Sequence, residues 1–235
     1  MTDKRCVAFY DSGVGGTRLY ERTRKAFPGE DYVYFADTKN MPFGDKSEEE
    51  LHKIFASAIK SIISFCPKLL VVACNTMSCV EKFSHAYLPM KTIFVTPFSP
   101  ERQKTNKSSG GGRKGSKWLL LTTPLTAETE YVKSLISGDE KVVLMPLKDL
   151  ARDIETWQNC GKKPDISLNF KNLSKDFEYV FLGCTHYGLL EKDFKKIFPN
   201  SKIISGEELA FCEIRKFLNT FDNSDHKGKS VFVKS

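Results

Sequence analysis

A strand that runs straight into a thiol, a hydroxyl and an imidazole constrains this chain more than any other feature. In VFLGCTHYGLL, residues 180–190, the apolar Val180, Phe181 and Leu182 read as a buried strand and Gly183 lets the backbone turn. Cys184, Thr185 and His186 then stand at the strand's exit, before a helix begins. Ligands of open α/β sheets bind at the carboxyl ends of strands, where a helix start adds free N–H groups and a positive dipole end. Such a place holds an anion beside a thiolate. Earlier in the chain LLVVA, residues 69–73, runs into Cys74, Asn75 and Thr76 in the same way. Two cysteines in equivalent settings predict a two-sided site.

The remainder alternates strand and helix. Lys4–Tyr10 reads as the first strand and empties into Asp11, Ser12, Gly13, Val14, Gly15 and Gly16, followed by an amphipathic helix that Pro28-Gly29 stops. That turn lacks the third glycine of a dinucleotide fingerprint, because Arg18 stands there, and it has no Walker lysine. Asp11 brings a carboxylate to the ligand edge. Strands are expected at 31–36, 69–73, 92–95, 118–121, 141–145 and 202–205, with helices at about 47–66, 78–85, 126–137, 147–157, 189–198 and 207–221. Ser47 and Glu50 form a capping box for the first of these helices. The residues at 161–175 are ambiguous, and the polar tail with its short VFV is expected at the surface.

Alternating strands and helices imply parallel sheets. The fold class is therefore α/β, with two similar domains of mainly parallel sheets flanked by helices and the site in the cleft between them. The expected division is residues 1–97 plus 207–235 on the Cys74 side and 98–206 on the Cys184 side.

Seven cysteines, an odd number with several in apparent strands and helices, fit reduced thiols better than a disulfide framework. There is no CxxC, and the histidines have no zinc spacing with the cysteines, so no metal is expected. No apolar run reaches the roughly 20 residues that span a bilayer, and the N-terminal stretch has no signal-peptide pattern. A cytoplasmic location follows as the expectation. The net charge of +7 is concentrated around the SSGGG of residues 108–112, where Arg102, Lys104, Lys107, Arg113, Lys114 and Lys117 have no aromatic among them. Nucleic-acid surfaces usually add stacking groups, so this segment reads as a solvated loop rather than a nucleic-acid site.

Cys74 and Cys184, delivered from opposite domains, can reach opposite faces of one bound carbon. One thiolate removes a proton while the other thiol returns one, and a neighbouring acid or imidazole shuttles it. For an amino acid this inverts the α-carbon, and no cofactor is required. The hydroxyls and amides of Ser12, Asn75, Thr76, Thr123 and Thr185 suit carboxylates and an ammonium group. Buried cysteines are usually inert core residues, but the paired placement before polar helix starts argues for chemistry.

DSGVGG at 11–16, MPFG at 41–44, ACNT at 73–76 and LGCTHY at 182–187 resemble, in order and spacing, the motifs of glutamate racemase, in the cofactor-independent aspartate/glutamate racemase superfamily. The resemblance implies that Cys74 and Cys184 are the acid/base pair, assisted by Asp11 and His186 respectively. It implies substrate contacts from Asp11, Ser12, Phe43, Gly44, Asn75, Thr76, Thr123, Thr185 and His186. It also implies glutamate as the small-molecule substrate, D-glutamate for bacterial peptidoglycan synthesis, and a homodimer. Three positions depart from the family pattern. Phe43 stands for a Tyr and Gly188 for a Pro, and Asp149 in PLKD is the nearest match to a glutamate that polarises the histidine. Rival readings are aspartate racemase or a related carbon-acid enzyme, a DNA gyrase-binding regulatory protein, and a thiol switch.

Overall fold

The computed structural model describes residues 3, 5–82, 84, 88–97, 116–223 and 225–235. Lys4 and His85, expected at element ends, lie outside the described residues, as does all of the basic glycine-rich segment up to residue 115. Its last member, Lys117, pairs with Asp176 at 2.8 Å. Every paired strand runs parallel, in two separate sheets. The first contains β1 (Val7–Asp11), β2 (Tyr32–Ala36), β3 (Leu69–Val72), β4 (Lys91–Phe94) and β9 (Ser230–Lys234), in the order β4-β3-β1-β2-β9. The second contains β5 (Trp118–Thr122), β6 (Val142–Pro146), β7 (Tyr179–Gly183) and β8 (Lys202–Ser205), in the order β6-β5-β7-β8.

Helices cover both faces of the first sheet, so its central strands are buried throughout. Along β1, Ala8 and Tyr10 face Leu51, Phe55, Ile59 and Ile62 of α2 (Glu48–Ile63). Val7 and Phe9 face Leu19 and Tyr20 of α1 (Thr17–Ala26) and Ala210, Ile214 and Leu218 of α8 (Glu207–Leu218). α3 is Asn75–Glu81. In the second sheet, Leu119, Leu121, Val180 and Leu182 pack on Leu150 and Ile154 of α6 (Leu150–Cys160) and Phe194 of α7 (Glu191–Ile197). Leu120 and Phe181 turn the other way, toward Val132 and toward Cys79 of α3. A residue of one lobe thus enters the core of the other. Among the described residues no helix is long and apolar enough to cross a membrane.

The strand orders decide where a ligand sits. In each sheet the chain first builds outward on one side and then returns to the other, so strand order reverses between β1 and β3, and again between β5 and β7. Asp11 and Cys74 leave the first switch point; Thr123 and Cys184 leave the second. These two edges face one another.

Several boundaries differ from the sequence expectation. The helix expected over 126–137 is two, α4 (Pro124–Glu128) and α5 (Glu130–Ile136). Thr129 between them is extended, and its side chain accepts the Val132 N–H as a new N-cap. The helix expected from Leu147 starts at Leu150, because Asp149 is in the left-handed region at φ 62°. α3 begins at Asn75, immediately after the thiol, and the stretch Thr185–Leu190 is a 3-10 helix ahead of α7. The tail lies at the surface, as expected, but as an ordered edge strand. It forms β9, paired with β2 from Tyr32↔Ser230 to Ala36↔Lys234, and Phe232 stacks on Tyr34 at 4.7 Å.

At the opposite end of the first sheet a buried ion pair ties both chain ends together. Lys68 Nζ lies 2.6 Å from Glu30 Oε2, both side chains at most 4% exposed. The ammonium also donates to the Asp3 carbonyl at 2.6 Å and stands 4.4 Å over the Phe221 ring. Asn223 Nδ2 donates to Glu30 Oε1 at 2.9 Å. Removing one partner leaves a buried charge uncompensated, so Lys68→Met is expected to lower unfolding free energy by about 3–5 kcal/mol, measured by urea denaturation. The double replacement Lys68→Met with Glu30→Leu is expected to recover most of that loss.

Candidate active site

The DSGVGG turn is built around one carboxylate. Asp11, wholly buried at the end of β1, accepts the Gly13 and Gly16 N–H groups on Oδ2 at 3.1 and 3.2 Å. Its Oδ1 accepts the Thr185 hydroxyl, from the other lobe, at 3.2 Å. Burial pushes the Asp11 carboxyl above its usual range, and the His186 charge with these hydrogen bonds offsets only part of the rise. The glycines serve lobe contact. A Cβ on Gly13 would stand 2.5 Å from Glu155 Oε2, and one on Gly15 would stand 2.7 Å from the His186 backbone nitrogen.

Cys74 is buried at the N-cap of α3. A helix start favours a thiolate, yet at Cys74 the opposite holds. Burial first, then the Asp11 charge, push the thiol far up, against the Met77 N–H and the Ser12 hydroxyl that favour the thiolate. Asn75 turns its side-chain amide to the Val95 carbonyl, 2.6 Å away. Thr76, Thr123 and Thr126 form a ring of hydroxyls across the cleft, with oxygen separations of 3.0, 2.7 and 2.9 Å.

On the second side Cys184 Sγ lies 3.9 Å from His186 Nδ1, and His186 Nε2 lies 2.8 Å from Glu155 Oε2. Glu155 also accepts the Val14 N–H of the first lobe at 3.1 Å. Burial opposes charge on His186, yet contact with Cys184 and Glu155 and the Asp11 charge prevail and raise it to about 10. Glu155 moves the other way: burial would raise it, and the His186 and Val14 hydrogen bonds hold it below the usual carboxylate range. The expected partner of His186, Asp149, is therefore corrected to Glu155. Asp149 instead accepts from Arg152 at 2.7 Å, because its left-handed backbone caps α6 one turn and a half before the residue that faces the imidazole. Sequence reasoning missed Glu155. Its signal was a carboxylate beside Ile154 on the buried stripe of an amphipathic helix.

The two thiols line one cavity of about 20 Å³, room for about one water molecule. Ser12, Phe43, Gly44, Thr76, Thr123 and His186 also line it, whereas Asp11, Asn75 and Thr185 lie behind that wall. Phe43 is 2% exposed and packs beside Tyr10 at 6.2 Å. Gly44 approaches so closely that a Cβ would stand 2.7 Å from that of Thr123. Gly188 gives up its space to Arg18, which donates to its carbonyl. At the mouth Arg152 bonds Asp45 across the cleft.

No family model matches the chain. It is 30% identical over 243 residues to the glutamate racemase of Clostridium botulinum (strain Alaska E43 / Type E3), spanning 98% of this chain and 92% of that one. The crystal structure of glutamate racemase from Campylobacter jejuni subsp. jejuni superposes with a TM-score of 0.75 at 25% identity, over 97% of this chain and 92% of that one. That of Escherichia coli glutamate racemase, in complex with L-glutamate and the activator UDP-MurNAc-ala, gives 0.78 at 20% identity, over 99% and 88%. The last likeness concerns the fold.

His186 holds its proton more tightly folded, at about 10, than unfolded, near 6.5. Its stabilising contribution is complete below pH 6.5 and is lost as pH rises through 10. Glu155 contributes above its unfolded value and loses that contribution as pH falls through its depressed folded one. Glu155→Gln is expected to bring the His186 titration down toward neutrality, followed by NMR of the imidazole. Urea unfolding of the same variant should then lose stability at lower pH on the alkaline side and show a flatter acid limb.

Proposed function

The chain belongs to the glutamate racemase family, and from that premise we propose that it interconverts L- and D-glutamate without a cofactor, by proton transfer through Cys74 and Cys184. The observation that carries the reading is the cavity lined by both thiols at facing switch points, one beside Asp11 and the other beside the His186–Glu155 pair. In this reading residues 1–97 with 207–235 form one lobe and 98–206 the other, and their closure sets the sulfurs on opposite faces of the α-carbon.

One thiolate takes the α-proton and becomes a thiol. The opposite thiol gives its proton to the planar carbanion and becomes a thiolate, so protons and charge balance over the turnover. A protonated His186 balances a thiolate at Cys184. Asp11, its carboxyl raised by burial, is the nearby carboxylate that assists Cys74. Ser12, Phe43 and Gly44, Thr76, Thr123 and His186 contact the substrate, with Asp11, Asn75 and Thr185 completing the wall once the lobes part around it. The D-glutamate formed supplies peptidoglycan synthesis, and the enzyme acts in the cytoplasm as a homodimer.

Incubation of the reduced protein with L-glutamate in D2O is expected to give α-deuterated glutamate that approaches a 1:1 mixture of enantiomers. Cys74→Ser and Cys184→Ser should each lower racemisation by about 10²-fold or more, and differ in which enantiomer still exchanges its α-proton. Undiminished racemisation in either variant would rule out this assignment.

A further inference from the structure

The cavity between the thiols, about 20 Å³, is too small for an amino acid, so the lobes separate for a substrate to enter. At the mouth, separation must part Asp45, on the 3-10 turn Phe43–Asp45 of one lobe, from Arg152, on α6 of the other. Both side chains remain partly open to solvent, at 38% and 50% exposure, and both line the cavity. Among the described lining residues Arg152 is the only lysine or arginine. Around it the wall is largely apolar, from Met41, Pro42, Phe43, Leu147 and Ala151.

The Arg152 guanidinium is held by two carboxylates from opposite sides. Asp149, on its own lobe, accepts Nη1 at 2.7 Å and stays with it when the lobes part. Asp45 takes Nη2 and leaves. A guanidinium offers two parallel N–H donors to a carboxylate, a geometry that neither an amide nor an ammonium reproduces.

We infer that Arg152 is a specificity-determining residue that exchanges Asp45 for the side-chain carboxylate of the substrate. The inference rests on the racemase reading and extends it. With the α-carbon between the thiols on the cavity floor, the side chain points to the mouth, where a distal carboxylate meets the guanidinium. Replacing one carboxylate by another leaves the charge count at the mouth unchanged, so opening costs no net ion pair. A substrate with an uncharged side chain must part Asp45 from Arg152 and return nothing.

The test compares glutamate with its uncharged isostere glutamine, by α-proton exchange in D2O and by calorimetric binding, in wild type and in Arg152→Gln, Arg152→Lys and Asp45→Asn. Arg152→Gln is expected to raise KM for glutamate by about 10- to 100-fold, the range for losing a charge-assisted contact, with a smaller change in kcat and little change toward glutamine. The lysine variant should regain part of the discrimination. Asp45→Asn removes the competing carboxylate and is expected to leave KM for glutamate the same or lower. If Arg152→Gln weakens glutamate and glutamine equally, or if Asp45→Asn weakens glutamate as much as Arg152→Gln does, the pair merely latches the lobes and the inference is overturned. A wild type that binds glutamate without exchanging its α-proton would sink the racemase reading while the binding ratio still decides the Arg152 contact. A wild type that binds neither compound sinks both.

Discussion

The structure depends on one carboxylate that has no access to water. Asp11 gathers two N–H groups of its own turn and one hydroxyl of the facing lobe, and buried charge is tolerated only with such partners. These bonds shape the turn so that Gly13 and Gly15 come against Glu155 and His186 with no room for a side chain. Val14 then donates to the same glutamate that holds the imidazole. The residue that closes the turn therefore also sets the distance between the lobes, and through that distance the environment of both sulfurs.

The architecture is nearly symmetric and the electrostatics are not. Each sheet delivers a cysteine from the strand beside its switch point, yet Cys74 faces a carboxylate and Cys184 faces an imidazole held by another. For proton transfer at a carbon acid this asymmetry has two sides. Burial and the Asp11 charge make a thiolate at Cys74 scarce, but also make it a stronger base once formed. In the proposed reaction Cys74 is thus kept as the proton donor until a substrate ammonium or a proton shift to Asp11 changes the local charge. His186, raised to about 10, places an imidazolium beside Cys184. A cycle that runs in both directions needs one sulfur protonated and one not, and the two sulfurs stand beside groups of opposite charge.

Much of this was legible in the sequence because the signals were local. The apolar runs into Cys74 and Cys184 located two central strands, and Ser47 with Glu50 forms the capping box expected at the start of α2. Glycine spacing argued against a nucleotide turn, though the purpose of the glycines appears only when the second lobe stands against them. What escaped detection depends on contacts distant in sequence. Glu155 is one solvent-capable residue on an amphipathic helix until it meets His186, and Asp149 looked nearer only because the reading ran along the strand end. The left-handed backbone at Asp149 and the second N-cap at Thr129 moved helix boundaries that periodicity placed a few residues away. The tail's place at the surface was legible, but its pairing as β9 was not, since a five-residue strand with exposed Val231 and Phe232 carries no pattern of its own. Its place is fixed by β2 and by the Tyr34 ring.

The lobes meet through apolar packing of Cys79, through the Val14–Glu155 and Arg18–Gly188 bonds, and through weaker polar contacts around the cleft. The threonine ring of Thr76, Thr123 and Thr126 is neutral, the Thr185–Asp11 bond is a single hydroxyl, and the Asp45–Arg152 pair is half in solvent, where ion pairs contribute little. Hydroxyls of this kind exchange a protein partner for water or a carboxylate at small net cost, since each bond contributes only about 1 kcal/mol beyond its solvated alternative. The strongly held elements, the fully buried β1 and β3 and the Lys68–Glu30 pair, all lie within one lobe. Separation at the mouth releases polar contacts, whereas the apolar contacts of Cys79 and Leu125 join the core of each lobe to the other. In the proposed reaction the thiols stay positioned on strand ends while the wall opposite them moves, as a site that admits a charged substrate and then excludes water requires.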